Sequence, residues 1–183
     1  MWQARRVRDD DRVADPVADP VADPVADPVA ELVVELARKT GVCWVRPEGA
    51  TRSHAVWHTW AEDSLCLVSG GDEQRLPGEG LGDGDRAEVV MRSGDTGGRL
   101  VTWVGTVSLL TPDDERWGPV TSALVAGRLN LREPSTAADH WARHCVVRRI
   151  VPTGEYVETP SSLDDGPHRE TPPDSPATTR ARR

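Results

Sequence analysis

Four of the five histidines fall in two pairs of equal spacing, His54 with His58 and His140 with His144. On a strand, a spacing of four puts both rings on one face but more than about 10 Å apart, too far to share an ion. On a helix the same spacing brings them together, yet no HExxH accompanies the second pair. The first pair therefore reads as strand rim, the second as an exposed helix face, and no metal is expected. The cysteines, Cys43, Cys66 and Cys145, are widely separated and form no CxxC. With no imidazolium or helix N-terminus evident beside them, they read as buried structural thiols, each inside a strand. There is no GxSxG, Walker loop or GxGxxG. Residues 70–85 hold GGDEQ and GEGLGDGD, rich in glycine but acidic where a phosphate cradle needs the opposite charge, and Arg75 is their only cation. Any chemistry must come from a bound cofactor that the protein positions.

The elements able to position such a group centre on residues 86–110. Ala87, Val89 and Met91 alternate with polar neighbours before a GDTGG link, and Val101, Trp103, Val107 and Leu109 do so after it. This is period two on both sides of a turn, a β-hairpin with one buried face. Its second strand is long enough for a barrel or a strongly coiled sheet, and Gly105 on its apolar face marks a bend, a bulge or close approach of another backbone. Ahead of it, Pro28 opens a helix to about Lys39 with Val29, Leu32, Val33 and Leu36 on one face, stopped at Gly41. Strands follow over 42–46, 54–60 and 65–69. After the hairpin, Thr111-Pro112-Asp113-Asp114 reads as a helix start with Thr111 as N-cap. A shorter helix over 136–143 leads to a last strand over 145–151. Trp44, Trp57, Trp60 and Trp103 fall in different strands, as core or interface residues do.

Both ends differ from this middle. Residues 13–28 are four copies of Val-Ala-Asp-Pro, and a proline at every fourth position forbids a continuous helix. Residues 155–183 are Pro, Ser, Thr, Asp and Arg with little to bury. The expected organisation is a disordered arm over 1–28, one domain over 29–154 and a disordered tail over 155–183. Without Phe, and with one Tyr and seven Trp, the core must rest on Val, Leu, Ala and Trp. The formal charge of -8 is shared among arm, middle and tail, so no segment forms the basic patch that nucleic acid requires. No apolar run reaches the ~18 residues of a membrane span. An odd number of cysteines and an N-terminus without a signal-like apolar stretch point to the cytoplasm.

Over residues 29–154 the sequence resembles the pyridoxamine 5'-phosphate oxidase-like family, the flavin- and deazaflavin-binding split barrels common in actinobacteria. The resemblance rests on the element order and on SHAVWHTW, LCLVSGGDEQ, AEVVMRS and GGRLVTWVGTVSLL. It implies a mainly β, α+β fold, an antiparallel split β-barrel with flanking helices. It also implies a homodimer with FMN or a deazaflavin coenzyme in the groove between copies, acting by hydride transfer to a small organic substrate. By position it implicates Ser69, Gly70, Gln74 and Arg75 near the phosphate, Trp57 and His58 near the ring system, and Arg92 or Arg99 as further cations. Where many relatives carry a lysine and a short helix before the fourth strand, this chain has the acidic 70–85 segment. That segment favours the alternative, a cofactor-free binding or structural homodimer of the same architecture.

Overall fold

A computed structural model describes residues 27–76, 80–95 and 97–163, so the Val-Ala-Asp-Pro repeat and most of the tail lie outside the described residues. The first element, α1 (Pro28–Lys39), starts where Asp27 accepts a hydrogen bond from Val29 N–H and Pro28 occupies the first turn. Seven strands follow: β1 (Val42–Pro47), β2 (His54–Trp57), β3 (Thr59–Ala61), β4 (Ser64–Ser69), β5 (Arg86–Arg92), β6 (Arg99–Leu110) and β7 (Val146–Glu158). Between β6 and β7 lie α2 (Trp117–Gly127), a short 3-10 turn and α3 (Ala137–His144).

The strands form one antiparallel sheet in the order β2-β1-β5-β6-β7-β4-β3. Its two edge strands are consecutive in the chain, separated only by His58, so the sheet must curl until its edges meet. This is the split barrel, and the single strand expected over 54–60 divides at His58 to close it. Inside lie Cys43, Val45, Val56, Leu65, Leu67, Ala87, Val89, Met91, Val101, Trp103 and Val107, with α1 adding Val33, Leu36 and Ala37. The aromatic bulk of Trp103 is admitted because Gly105 leaves room. A Cβ there would lie against Ile150, 2.8 Å from the Trp103 ring and 3.0 Å from Val151 O.

A second apolar layer lies outside the barrel, where Val120 and Leu124 of α2 and Trp141 of α3 cover Cys66 and Val68 of β4, Leu110 of β6 and Val147 of β7. On the other half, the outer face of β1, β2 and β5 carries a layer of side chains instead. Trp44 lies under Arg92, Arg46 is ion-paired with Glu88, and Val42 is 47% exposed.

Three expectations need correction. The helix after β6 begins at Trp117, because Thr111 to Arg116 form successive turns: Asp114 N–H bonds Thr111 O, and Trp117 N–H bonds Asp114 O. Cys145 caps α3 and lies outside β7. The last strand continues past residue 151 to Glu158. Pro152 sits opposite Gly105 where the register shifts, Gly154 takes φ 82°, and Thr153 Oγ1 donates to Val104 O at 2.9 Å. A bulge thus absorbs the proline and glycine that would otherwise end a strand. Tyr156 then reaches back to Asp27, its hydroxyl 2.8 Å from Oδ2.

Candidate functional site

The chain leaves β4 in a tight turn built by Gly70 and Gly71, at φ 87° and 58°, backbone conformations that favour glycine. Gly70 N–H bonds Gln74 O, and Glu73 N–H bonds Gly70 O. The Gln74 carboxamide turns inward. Its Oε1 accepts from Trp57 N–H at 2.9 Å, and its Nε2 donates to Trp57 O at 3.0 Å and Val68 O at 3.1 Å. It acts as a short piece of backbone stitched between β2 and β4 where the sheet edges meet. Ser69 is buried, and its hydroxyl accepts from Arg148 Nη1 at 2.6 Å, while Arg148 Nε donates to Leu81 O at 2.8 Å. Burial lowers the Arg148 pKa.

His58 is 4% exposed with Nε2 3.2 Å from Ala37 O. That contact fixes the proton on Nε2 and leaves Nδ1 buried with no partner. Burial pushes its pKa down to about 4, against a smaller opposing effect of the carbonyl. Four of the eight residues implicated by resemblance, His58, Ser69, Gly70 and Gln74, thus direct their polar groups into the protein. Arg75 is exposed on the same turn and makes no hydrogen bond or ion pair among the described residues.

Three of the acids described in residues 70–85 are engaged within the chain. Glu73, 5% exposed at its side chain, accepts from Trp141 Nε1 at 3.0 Å and pairs with Arg128 at 3.0 Å. Asp83 accepts from Leu109 N–H and Asp85 from Gly82 N–H. Arg128 also lies over the Trp57 ring at 4.6 Å. Beside this cluster a cleft of about 420 Å³ opens between the turn and the α2–α3 connection, lined by Asp72, Glu73, Arg128, Arg132, His140 and Trp141 among others. At its rim Asp72 Oδ1 is 2.7 Å from His140 Nε2, a contact that lowers the Asp72 pKa. Cys145 Sγ donates to Gly70 O at 3.4 Å, and burial, then Glu73 and Asp72, push its pKa up to about 11.

Of the remaining implicated residues, Trp57 lies at the seam, packed against the α2–α3 layer, and Arg92 and Arg99 lie at the far end of the other outer face. Trp57 pairs with Val42, and the β1–β5 register continued by two residues sets Val42 opposite Arg92, itself the partner of Arg99. One row therefore runs from Trp57 at the seam to the β5–β6 hairpin. Arg92 packs its guanidinium 4.2 Å from the Trp44 ring centroid, and Arg99 lies 3.3 Å from Glu158. The Nε of each arginine is buried without a hydrogen-bond partner. Trp44 and Glu158 were not among the implicated residues. Trp44, expected only as a core or interface residue, stands on the outer face because β1 alternates Val42, Trp44 and Arg46 outward, and Glu158 lies beyond the Pro-Thr-Gly bulge.

No family model matches the sequence, and no curated protein matches it. Solved structures do match. A conserved hypothetical protein from Mycobacterium tuberculosis aligns with a TM-score of 0.51 at 17% identity, over 74% of this chain and 86% of that one. An FAD-binding protein from Mesorhizobium loti aligns at 0.47 and 17% identity, over 68% and 87%. A structure described as an F420 reductase aligns at 0.45 and 19%, over 70% and 96%. The first of these likenesses supports the fold seen in the strand order. Among the described residues no helix is long and apolar enough to cross a membrane.

Proposed function

We propose that the chain binds FMN or a deazaflavin coenzyme on the outer face of β1, β2 and β5, as a homodimer whose second copy covers that face. The observation that carries this reading is the facing pair Arg92 and Arg99 beside the Trp44 plane. Two like charges at opposed strand positions repel unless an anion lies between them, and Glu158 answers only one of them. A phosphate matches the planar donors of both guanidinium groups, and Trp44 offers aromatic surface to a ring system, with Trp57, under Arg128, at the seam end of the same row. Arg75 is a further cation on the turn after β4. The bound coenzyme would supply hydride chemistry toward a small organic substrate, while these residues bind and orient it. The competing reading, a cofactor-free homodimer, draws support from Ser69, Gly70 and Gln74, whose polar atoms are all engaged within the chain.

Titration with FMN and with a deazaflavin, followed by fluorescence, separates the two. Wild type is expected to bind one of them, and Arg92→Ala to weaken binding by about ten- to a hundred-fold, the loss of a charge-assisted contact. Absence of binding by wild type removes the site, and equal affinity in Arg92→Ala moves the phosphate to Arg75. Light scattering at micromolar concentration is expected to give twice the 19.9 kDa chain mass, and a stable single-chain mass would sink the dimer.

A further inference from the structure

Three side chains that the sequence keeps far apart meet at the rim of the cleft beside α3. Asp72 comes from the turn after β4, His140 from the exposed side of α3, and Cys145 from the residue that caps it. One ligand atom from each, a carboxylate oxygen, an imidazole nitrogen and Sγ, all lie within 4.8 Å of one another. We propose that these three residues form a site for a single divalent ion of borderline softness, Zn²⁺ above all, with its fourth position open on the cleft.

The donor set selects the metal class. A thiolate and an imidazole favour Zn²⁺ over Mg²⁺ or Ca²⁺, which take oxygen, and three protein ligands plus one open position form a familiar zinc arrangement. Bonds of about 2.0 to 2.3 Å at tetrahedral angles put ligand atoms roughly 3.5 Å apart. The cluster therefore needs to tighten by about an ångström, and two of its members are free to do so. The Asp72 side chain is 74% exposed and that of His140 is 43% exposed, so rotation of either reaches the ion without disturbing the core. Cys145 Sγ is fixed by its position at the end of α3. Gly71 is what allows the turn to come that close: a Cβ there would lie 3.0 Å from Cys145 Sγ and 3.0 Å from His144 O. Asp72 and His140 both line the cleft and Cys145 does not, which places the open position on the cleft side.

In the metal-free protein the site is held by its own protons. The Asp72–His140 contact is a hydrogen bond, and the Cys145 thiol donates to Gly70 O. Binding replaces both contacts with metal bonds, and the thiol proton leaves to solvent as the Sγ–metal bond forms, one proton per ion from Cys145. The His140–His144 spacing on a helix is visible in the sequence, but it does not define this site. The partners of His140 are a residue 68 positions earlier and the helix cap.

Co²⁺ titration of the untagged full chain with its thiols reduced tests the proposal. The expected result is one Co²⁺ per chain, with a thiolate-to-cobalt charge-transfer band and visible absorption of tetrahedral intensity, both removed by one equivalent of Zn²⁺. Cys145→Ser is expected to abolish the charge-transfer band, since Cys43 and Cys66 are buried away from the site. Asp72→Asn, at an exposed position that does not threaten folding, is expected to weaken Co²⁺ binding by more than about tenfold, because even outer-shell partners of a metal cost that much. A wild type without the charge-transfer band overturns the site. So does a band that survives Cys145→Ser, or an Asp72→Asn chain that binds Co²⁺ as tightly as wild type.

Discussion

The two outer faces of the barrel treat the same kinds of residue differently. Over β4 and β7, α2 and α3 bury Trp141 to 1% exposure, and its indole N–H is taken by Glu73, which Arg128 balances. Over β1, β2 and β5, Trp44 is only half-buried under Arg92, Val42 is open, and the Arg92 Nε is buried without a hydrogen-bond partner. The covered face also keeps a buried Arg128 Nε without a hydrogen-bond partner, so the difference lies in coverage: α2 and α3 remove one outer face from water and leave the other to Trp44, Arg92 and Val42.

The strongest way to break this contrast is to truncate one tryptophan from each face. Trp141→Ala removes a fully buried ring and one of the two partners of Glu73, and is expected to cost about 3–5 kcal/mol. Trp44→Ala is expected to cost less than about 1.5 kcal/mol in the isolated chain, since its ring remains partly in water. Urea midpoints at matched slopes measure both, and equal losses would mean that the two faces are equally part of the core.

The seam between the faces can be tested by pH. His58 is depressed to about 4 from an ordinary 6.5, so the unfolded chain binds a proton between these values that the folded chain refuses. The contribution is complete above pH 6.5 and is lost as the pH falls toward 4, amounting to about 2–3 kcal/mol. Relative to wild type, His58→Gln, which retains a donor for Ala37 O, is expected to flatten the stability profile over that window and leave it unchanged above pH 7. Parallel profiles would show that water reaches the seam.

The finest comparison lies within one turn. Gln74→Ala leaves Trp57 N–H, Trp57 O and Val68 O without their partner and is expected to lower stability by about 1–3 kcal/mol. Arg75→Ala, one residue on and facing solvent, should change it by less than about 0.5 kcal/mol. Thermal midpoints of the two variants, measured without coenzyme, decide whether the turn is organised from inside, as the Gln74 contacts require.

What was legible in the sequence follows the range of each signal. Alternation over 86–110 and the Pro28-to-Gly41 helix pattern are local, and both elements stand where their residues indicate. Closure at His58 was not local. The aromatic-rich run from His54 to Trp60 reads as one strand, and nothing in it says that two strands on opposite edges share it. The Pro152-Thr153-Gly154 run carries the residue types of a turn, yet pairing with β6 turns it into a bulge. At the candidate site the same limit holds. Arg92 or Arg99 entered as cations only through the resemblance, and they meet because one hairpin joins them, whereas Glu73 with Arg128 and Asp72 with His140 depend on how α2 and α3 dock.

The position of β7 in the sheet has a consequence for how the chain is made. It is the last strand in sequence but lies between β6 and β4, where it pairs Leu65 with Ile150 and Val107 with the same residue. Until residues 146–158 leave the ribosome, β4 and the long β6 each present an open hydrogen-bonding edge, and closure must then bring together segments some eighty residues apart. Such pairing forms slowly, and exposed edges invite pairing between chains in the meantime. A nascent chain stalled before Val146 holds six of the seven strands found among the described residues and cannot close the barrel.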